Sequence, residues 1–219
     1  MTKHLLRDLE HLKKQVLAVG SMVQGAIQKA TRALFERLPT VAADVLKSDD
    51  AIDRREVMVE EECLKILALH QPVAVDLRYI ITVLKVNNEL ERMGDLAGNI
   101  AARAAELIKC APVRLPAEFT RMVETVQSMV ADSLETLVET DVTIARRILA
   151  ADDIVDGIHR QMVREMQDEA RADPDNIEGP ISVMSVSKYL ERIADQCTNI
   201  AEDVIFLVEG EIVRHRRRR

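Results

Sequence analysis

Apolar residues recur every three or four positions through most of this chain. In the first stretch they fall at Leu5, Leu9, Leu12, Val16, Val19, Val23, Ile27, Ala30 and Leu34, which is one continuous face of an α-helix. Later stretches repeat the spacing, with Val45, Ile52, Val59, Cys63, Ile66 and Leu67, then Ile144, Ile148, Ile154, Ile158, Met162 and Met166. Pro39, Pro72, Pro112, Pro116, Pro174 and Pro180 punctuate the pattern. Together they predict helical segments at about 3–37, 40–70, 73–110, 116–138, 141–171 and 180–209. Pro116 is expected in the first turn of its helix, where a missing N–H costs nothing. Gly210 is expected to stop the last segment, and residues 171–180 read as a loop.

The chain also repeats itself. Residues 90–101 read Leu-Glu-Arg-Met-Gly-Asp-Leu-Ala-Gly-Asn-Ile-Ala, and residues 190–201 read Leu-Glu-Arg-Ile-Ala-Asp-Gln-Cys-Thr-Asn-Ile-Ala. A second echo joins Leu46–Asp53 to Leu149–Asp156, at an offset of 103 rather than 100. The difference places a three-residue deletion between the second and third helices of the later copy. Two copies of one helix–turn–helix–turn–helix unit follow. The expected fold is all-α: two tandem three-helix bundles, at residues 1–111 and 112–210, with a hinge near Cys110–Pro116 and a basic tail at 211–219. Long helices joined by short turns run up-down-up to bury their seams.

Composition agrees. Apolar residues make up 47% and charged residues 31%, enough for a packed core, while aromatics are only 2%, which disfavours a β-sandwich or barrel. The net charge is −7; without the five arginines of Arg214–Arg219 the balance is 25 basic against 37 acidic side chains. A body that acidic is a poor nucleic-acid platform. Cys63, Cys110 and Cys197 are odd in number and far apart, which argues against a disulfide framework and for a reducing compartment. The longest stretch without a formal charge, Gln15–Gln28, is too short and too polar to span a bilayer. The N-terminus lacks the apolar centre of a secretory signal. A cytoplasmic protein is the expectation.

The candidate chemistry lies in the repeated motif. Each helical residue advances by about 100°, so with Glu91 at zero, Asp95 falls near 40°, Asn88 near 60° and Asn99 near 80°. Glu191, Asp195 and Asn199 repeat the arrangement, with Lys188 where Asn88 stood. Carboxylates four apart on a helix repel by a few tenths of a kcal/mol. A cation reverses that sign, and such oxygen donors suit Mg, Mn, Fe or Zn ions. Against this stands the plainer reading of a solvated polar face. No Glu-x-x-His pair of the di-iron bundle type occurs, and no phosphate loop, HExxH or GxSxG motif. His70 and His159 read as partly exposed helix residues, and the methionines as core. Gly94 and Gly98, four apart, point to a close helix approach beside the motif.

These residues resemble a known family. Two copies of Glu-Arg-[Ile/Met]-[Gly/Ala]-Asp-x-x-x-Asn-Ile-Ala, each on the third helix of a three-helix unit, are similar to the PhoU family of bacterial phosphate-signalling accessory proteins. Gln71-Pro-Val-Ala-Val-Asp-Leu-Arg-Tyr-Ile80 matches that family's opening of helix three. The resemblance covers essentially the whole chain. One departure is that the second motif commonly reads Gly-Asp-His, whereas this chain has Ala194-Asp195-Gln196; the arginine tail has no counterpart in the pattern.

The resemblance implies a cytoplasmic, often dimeric all-α regulator without catalytic activity. Such proteins restrain the phosphate-starvation response by linking the phosphate ABC transporter, through its ATPase subunit, to a sensor histidine kinase. It implies metal ligands at Glu91, Asp95, Glu191 and Asp195, with Asn99 and Asn199 nearby and Asp53 and Asp156 on the neighbouring helices. The rival expectation is a metal-storage or metal-dependent hydrolytic bundle, and a plainer third is a helical scaffold without metal.

Overall fold

A computed structural model describes residues 3–110 and 112–210. The arginine run at 214–219 lies outside them. The described residues form six long helices and one 3-10 turn, with no strand. They are α1 (Lys3–Phe35), α2 (Pro39–His70), α3 (Ala74–Leu107), α4 (Glu118–Glu139), α5 (Val142–Ala172) and α6 (Glu178–Glu209). At about 1.5 Å per residue the longest approach 50 Å.

Local chemistry sets the ends. Pro39 opens α2, and Gln71 closes it in the left-handed region with its N–H on Leu67 O. Asp141 caps α5 by accepting from Thr143 N at 2.7 Å. Gly210, at φ 73°, ends α6, where a glycine adopts the left-handed turn without steric cost. The Arg37 guanidinium donates to the carbonyls of Leu107, Ile108 and Cys110 at 2.9–3.1 Å. That places a cation where the α3 dipole is negative and pins the α1–α2 turn to the far end of α3.

The apolar seams are buried as the spacing requires: Leu12, Val16, Val19, Val23 and Ile27 on α1, and Val45, Ile52, Val59, Cys63 and Ile66 on α2. Four expectations are corrected. Ile154 is exposed and Val155 takes its place in the core, because six residues from Ile148 carry Ile154 to the far side of the helix and the seventh returns to the same face at about 100° per residue. Pro116 precedes α4, its carbonyl accepting from Phe119 N. Most of the 171–180 stretch is helical: α5 runs to Ala172, Pro174–Asn176 form the 3-10 turn and α6 starts at Glu178. A Cβ at Gly94 would stand 3.3 Å from Ile52, but nothing lies near the Cβ direction of Gly98, so only the first glycine serves a close approach.

Within each half, all three helices pack on one another, and the halves join through α3 against α6 and α1 against α4. Leu134 of α4 fills the space above Gly20 of α1, leaving no room for a Cβ. Toward the other end of the same seam the Phe35 and Phe119 rings lie 5.3 Å apart. Along the α3–α6 seam, Lys85 donates to Asp203 at 3.0 Å and Asn199 to Glu89 at 3.4 Å. A step forward on one helix is a step back on the other, so α3 and α6 are antiparallel. Equivalent helices that pair antiparallel are exchanged by a two-fold axis normal to their common plane. Such an axis leaves equivalent faces on the same side of the molecule.

Candidate functional site: two carboxylate clusters

The polar strip of α3 has one neighbour on each side. Asn87 and Gly94, near 320° and 300° about the helix, face α2 through Glu56 and Ile52. Lys85 and Glu89, near 120° and 160°, face α6. Glu91, Asp95, Asn88 and Asn99 fall between these borders. The strip of α6 lies likewise between α5, reached by Ser187, and α3, reached by Asn199 and Asp203. Both strips therefore open on the face formed by α2, α3, α6 and α5 in that order.

In the first half, α2 brings its own acids to the strip. The Glu91 carboxyl is held above its ordinary range, first by partial desolvation, then by the charges of Asp95, Asp53 and Glu56. Asp49 is raised by desolvation and by Asp53, Asp95 and Asp50. Glu56 is raised by desolvation and by Glu60 and Asp53. Asp49, Asp53, Glu56, Glu91 and Asp95 thus share one field across two helices. The Arg92 guanidinium turns to Glu89 at 3.7 Å and is the smallest of the influences upon Glu91. Asn87 is fully buried behind the cluster. It donates from Nδ2 to the carbonyl of Glu56 at 2.9 Å and to its Oε1 at 3.0 Å, and its own Oδ1 has no partner.

The second half differs at two equivalent positions. His159 stands at the counterpart of Glu56 and Lys188 at that of Asn88. Lys188 Nζ donates to Glu191 Oε2 at 2.6 Å. Desolvation and the charge of Glu191 raise the Asp195 carboxyl, while Lys188 opposes them ahead of the smaller push from Asp156. Asp156 pairs with Arg160 at 3.4 Å. The His159 imidazole is lowered from its ordinary value, chiefly by burial. Its Nδ1 lies 2.9 Å from Ser187 Oγ, and that hydroxyl donates to Met184 O. A hydroxyl has one proton to give, so His159 carries its proton on Nδ1 and Ser187 accepts.

The structure brings Glu91, Asp95 and Asp53 together, and likewise Glu191, Asp195 and Asp156. Asn99 is exposed on the first strip. The Asn199 amide points across the seam to Glu89 rather than to its own carboxylates. His70 holds Asp8 at 2.9 Å and lies apart from both clusters. Asp49, Glu56 and His159 are the residues that the repeat reading left out of the site. Their signal was the offset of 103, which pairs Asp49 with Asp152, Asp53 with Asp156 and Glu56 with His159.

Among the described residues no three His, Cys, Asp or Glu side chains converge as the ligands of one ion. The donor chemistry of the first cluster fits a hard or borderline cation all the same. It has five carboxylates, three of them with raised proton affinity through desolvation and mutual repulsion, and an orphaned amide oxygen behind them. The second cluster fits less well, because an ammonium already lies on Glu191.

Fold and site define a duplicated three-helix protein that presents paired carboxylate strips on one face. The PhoU domain model matches it twice, over residues 16–104 and 119–204. The chain belongs to the PhoU family. It is 41% identical to the phosphate-specific transport system accessory protein PhoU homolog of Aquifex aeolicus, over 96% of each chain. It is 36% identical to the namesake from Pseudomonas aeruginosa, over 95% of this chain and 86% of that one. The crystal structure of PhoU from Pseudomonas aeruginosa superposes with a TM-score of 0.89 at 35% identity, covering 94% of this chain and 99% of that one. The phosphate transport system regulatory protein PhoU from Streptococcus pneumoniae gives 0.87 at 28% identity, covering 95% and 99%. No helix of the described residues is long and apolar enough to cross a membrane.

Proposed function

We propose that this chain is a non-enzymatic, cytoplasmic regulator of phosphate uptake. It associates with a phosphate ABC transporter through the ATPase subunit and couples transport to a sensor histidine kinase, so that the phosphate-starvation response is restrained while phosphate is plentiful. The observation that carries this reading is near full-length similarity to accessory and regulatory proteins of phosphate transport. The site supports it in kind: the clusters form an open charged face rather than an enclosed cleft, and that suits docking better than turnover.

In this reading Glu91 and Asp95, with Asp53 beside them, hold a cation, as do Glu191, Asp195 and Asp156 to the extent that Lys188 allows. The ion, Mg, Mn, Fe or Zn, supplies positive charge that offsets their repulsion and fixes the face a partner meets. A homodimer would present that face twice. The test is deletion of the gene and complementation, with phosphate-starvation reporter expression and phosphate uptake as readouts. The wild-type chain is expected to restore repression in phosphate-replete cells. A chain with Glu91, Asp95, Glu191 and Asp195 all replaced by Ala is expected to fold and fail. Normal repression in the deletion strain would overturn the proposal. Many ions per chain would favour storage instead, and preserved repression by the quadruple variant would leave a scaffold that needs no metal.

A further inference from the structure

The two clusters occupy equivalent places in the fold, yet they are not chemically equivalent. The first gathers five carboxylates from α2 and α3 and has no lysine among them. The second keeps Asp152, Asp156, Glu191 and Asp195, and exchanges a glutamate for His159 and an asparagine for Lys188. The exchanges act together. His159 is anchored to Ser187, and Lys188, one residue on, lays its ammonium on Glu191 and acts on Asp195 as well. A divalent ion entering there must displace an ammonium that already neutralises its first ligand, and then sit beside it. An ion entering the first cluster meets carboxylates on which no ammonium lies, Arg92 being the smallest of the influences on Glu91.

We propose that the second cluster carries its own counter-ion, Lys188, and that the chain takes up metal at the first cluster only. The metal half of this inference rests on the function proposed above; the counter-ion half does not. One face then holds two acidic sites, one neutralised permanently by a side chain and one neutralised only when metal is supplied. Metal status changes one half of the face and leaves the other constant, so the constant half acts as the reference against which a docking partner meets the variable one.

Equilibrium dialysis of the chelator-treated full chain against Mn²⁺, with free ion counted by electron paramagnetic resonance, tests the metal half. Asp95→Asn is expected to weaken uptake at least tenfold, and Asp195→Asn to leave it unchanged. The double variant Lys188→Asn/His159→Glu, which gives the second cluster the composition of the first, is expected to add a second site of similar affinity. Uptake by the wild-type chain that Asp195→Asn reduces as much as Asp95→Asn would overturn the proposal, and so would a double variant that gains no ion. Thermal unfolding of the metal-free protein at low salt reads the counter-ion half alone. Lys188→Asn is expected to lower Tm and Asn88→Lys to raise it. If the wild type takes up no Mn²⁺, the metal reading of the family site fails, and these two shifts still decide whether Lys188 is the counter-ion. An unchanged Tm in Lys188→Asn would sink it.

Discussion

In metal-free protein at low salt, Asp95→Asn is expected to stabilise the fold. The substitution keeps the shape of the side chain and removes one charge from a cluster in which Asp95 helps to push up both Glu91 and Asp49. A like-charge neighbour at this helical spacing costs a few tenths of a kcal/mol. Relief of two such neighbours, one on α3 and one on α2, is worth about 0.5–1 kcal/mol, and the exposure of Asp95 keeps it toward the lower end. For a chain of 219 residues, about 1 kcal/mol moves Tm by 2–4 °C, so the expected gain is about 1–3 °C. Thermal unfolding followed by far-UV circular dichroism in chelator reads it directly. At 1 M salt the screening length is about 3 Å, and the gain is expected to vanish. Glu191→Gln is the counter-experiment: it removes the partner of Lys188 and is expected to lower Tm slightly under the same conditions. A fall in Tm for Asp95→Asn, or a gain that salt leaves intact, would refute the view that the first cluster is electrostatically strained.

The other expectations follow from single contacts. Phe119→Ala empties a fully buried site against Phe35 and is expected to cost about 3–5 kcal/mol, read as a lower urea midpoint with one transition; a cost below about 1 kcal/mol would contradict the packing. Asn87→Ala removes the donor to the backbone carbonyl and to the Oε1 of Glu56 and is expected to cost about 1–3 kcal/mol by the same measurement. The acidic groups give an inverted pH dependence. Glu91, Asp49, Glu56 and Asp195 bind their protons more tightly in the folded chain. Their contribution is therefore most favourable below the ordinary carboxylate values near about 4, and it declines as pH rises through the raised folded values. His159 runs the other way. Burial favours its neutral form, so its contribution is complete above about 6.5 and is lost as pH falls toward the lowered folded value. His159→Gln is expected to remove that loss, and an unchanged profile would contradict it.

The helices were legible because their signals are local. A seam such as Leu12–Val16–Val19–Val23 commits the chain to one face over many turns, and Pro39 and Gly210 mark ends by backbone geometry alone. Errors arose where local rules compete. Ile154 has the right residue type at the wrong angle, and Gly98 has the right size with nothing within 4 Å of where a Cβ would stand. The strips at Glu91–Asp95 and Glu191–Asp195 were legible for the same local reason, since both members lie on one helix. The contribution of Asp49 and Glu56 was not, although Asp49 recurs in the second copy as Asp152. Whether an acid on α2 reaches a strip on α3 depends on the rotation and register of one helix against the other, and helix periodicity is silent on both. Lys188 was visible as a departure at the position of Asn88, but its contact with Glu191 depends on a rotamer.

The antiparallel seam gives that departure a consequence for docking. A pseudo-two-fold axis that relates identical halves would let a partner bind in two orientations of equal energy. Here the halves differ by one unit of charge where Lys188 replaces Asn88, and by another where neutral His159 replaces Glu56. At about 4 Å a unit charge pair is worth about 1 kcal/mol in water and more near a protein surface, so two such differences are enough to separate the orientations by tenfold or more. Lys85–Asp203 and Asn199–Glu89 hold the two strips in fixed register across the seam, which makes the charge difference a property of a rigid face rather than of two independently moving bundles. The duplication supplies a broad face, and the substitutions within it supply its polarity. A partner with one basic and one mixed patch would then select a single orientation, and neutralising the first cluster would weaken the contact at one end without disturbing the other.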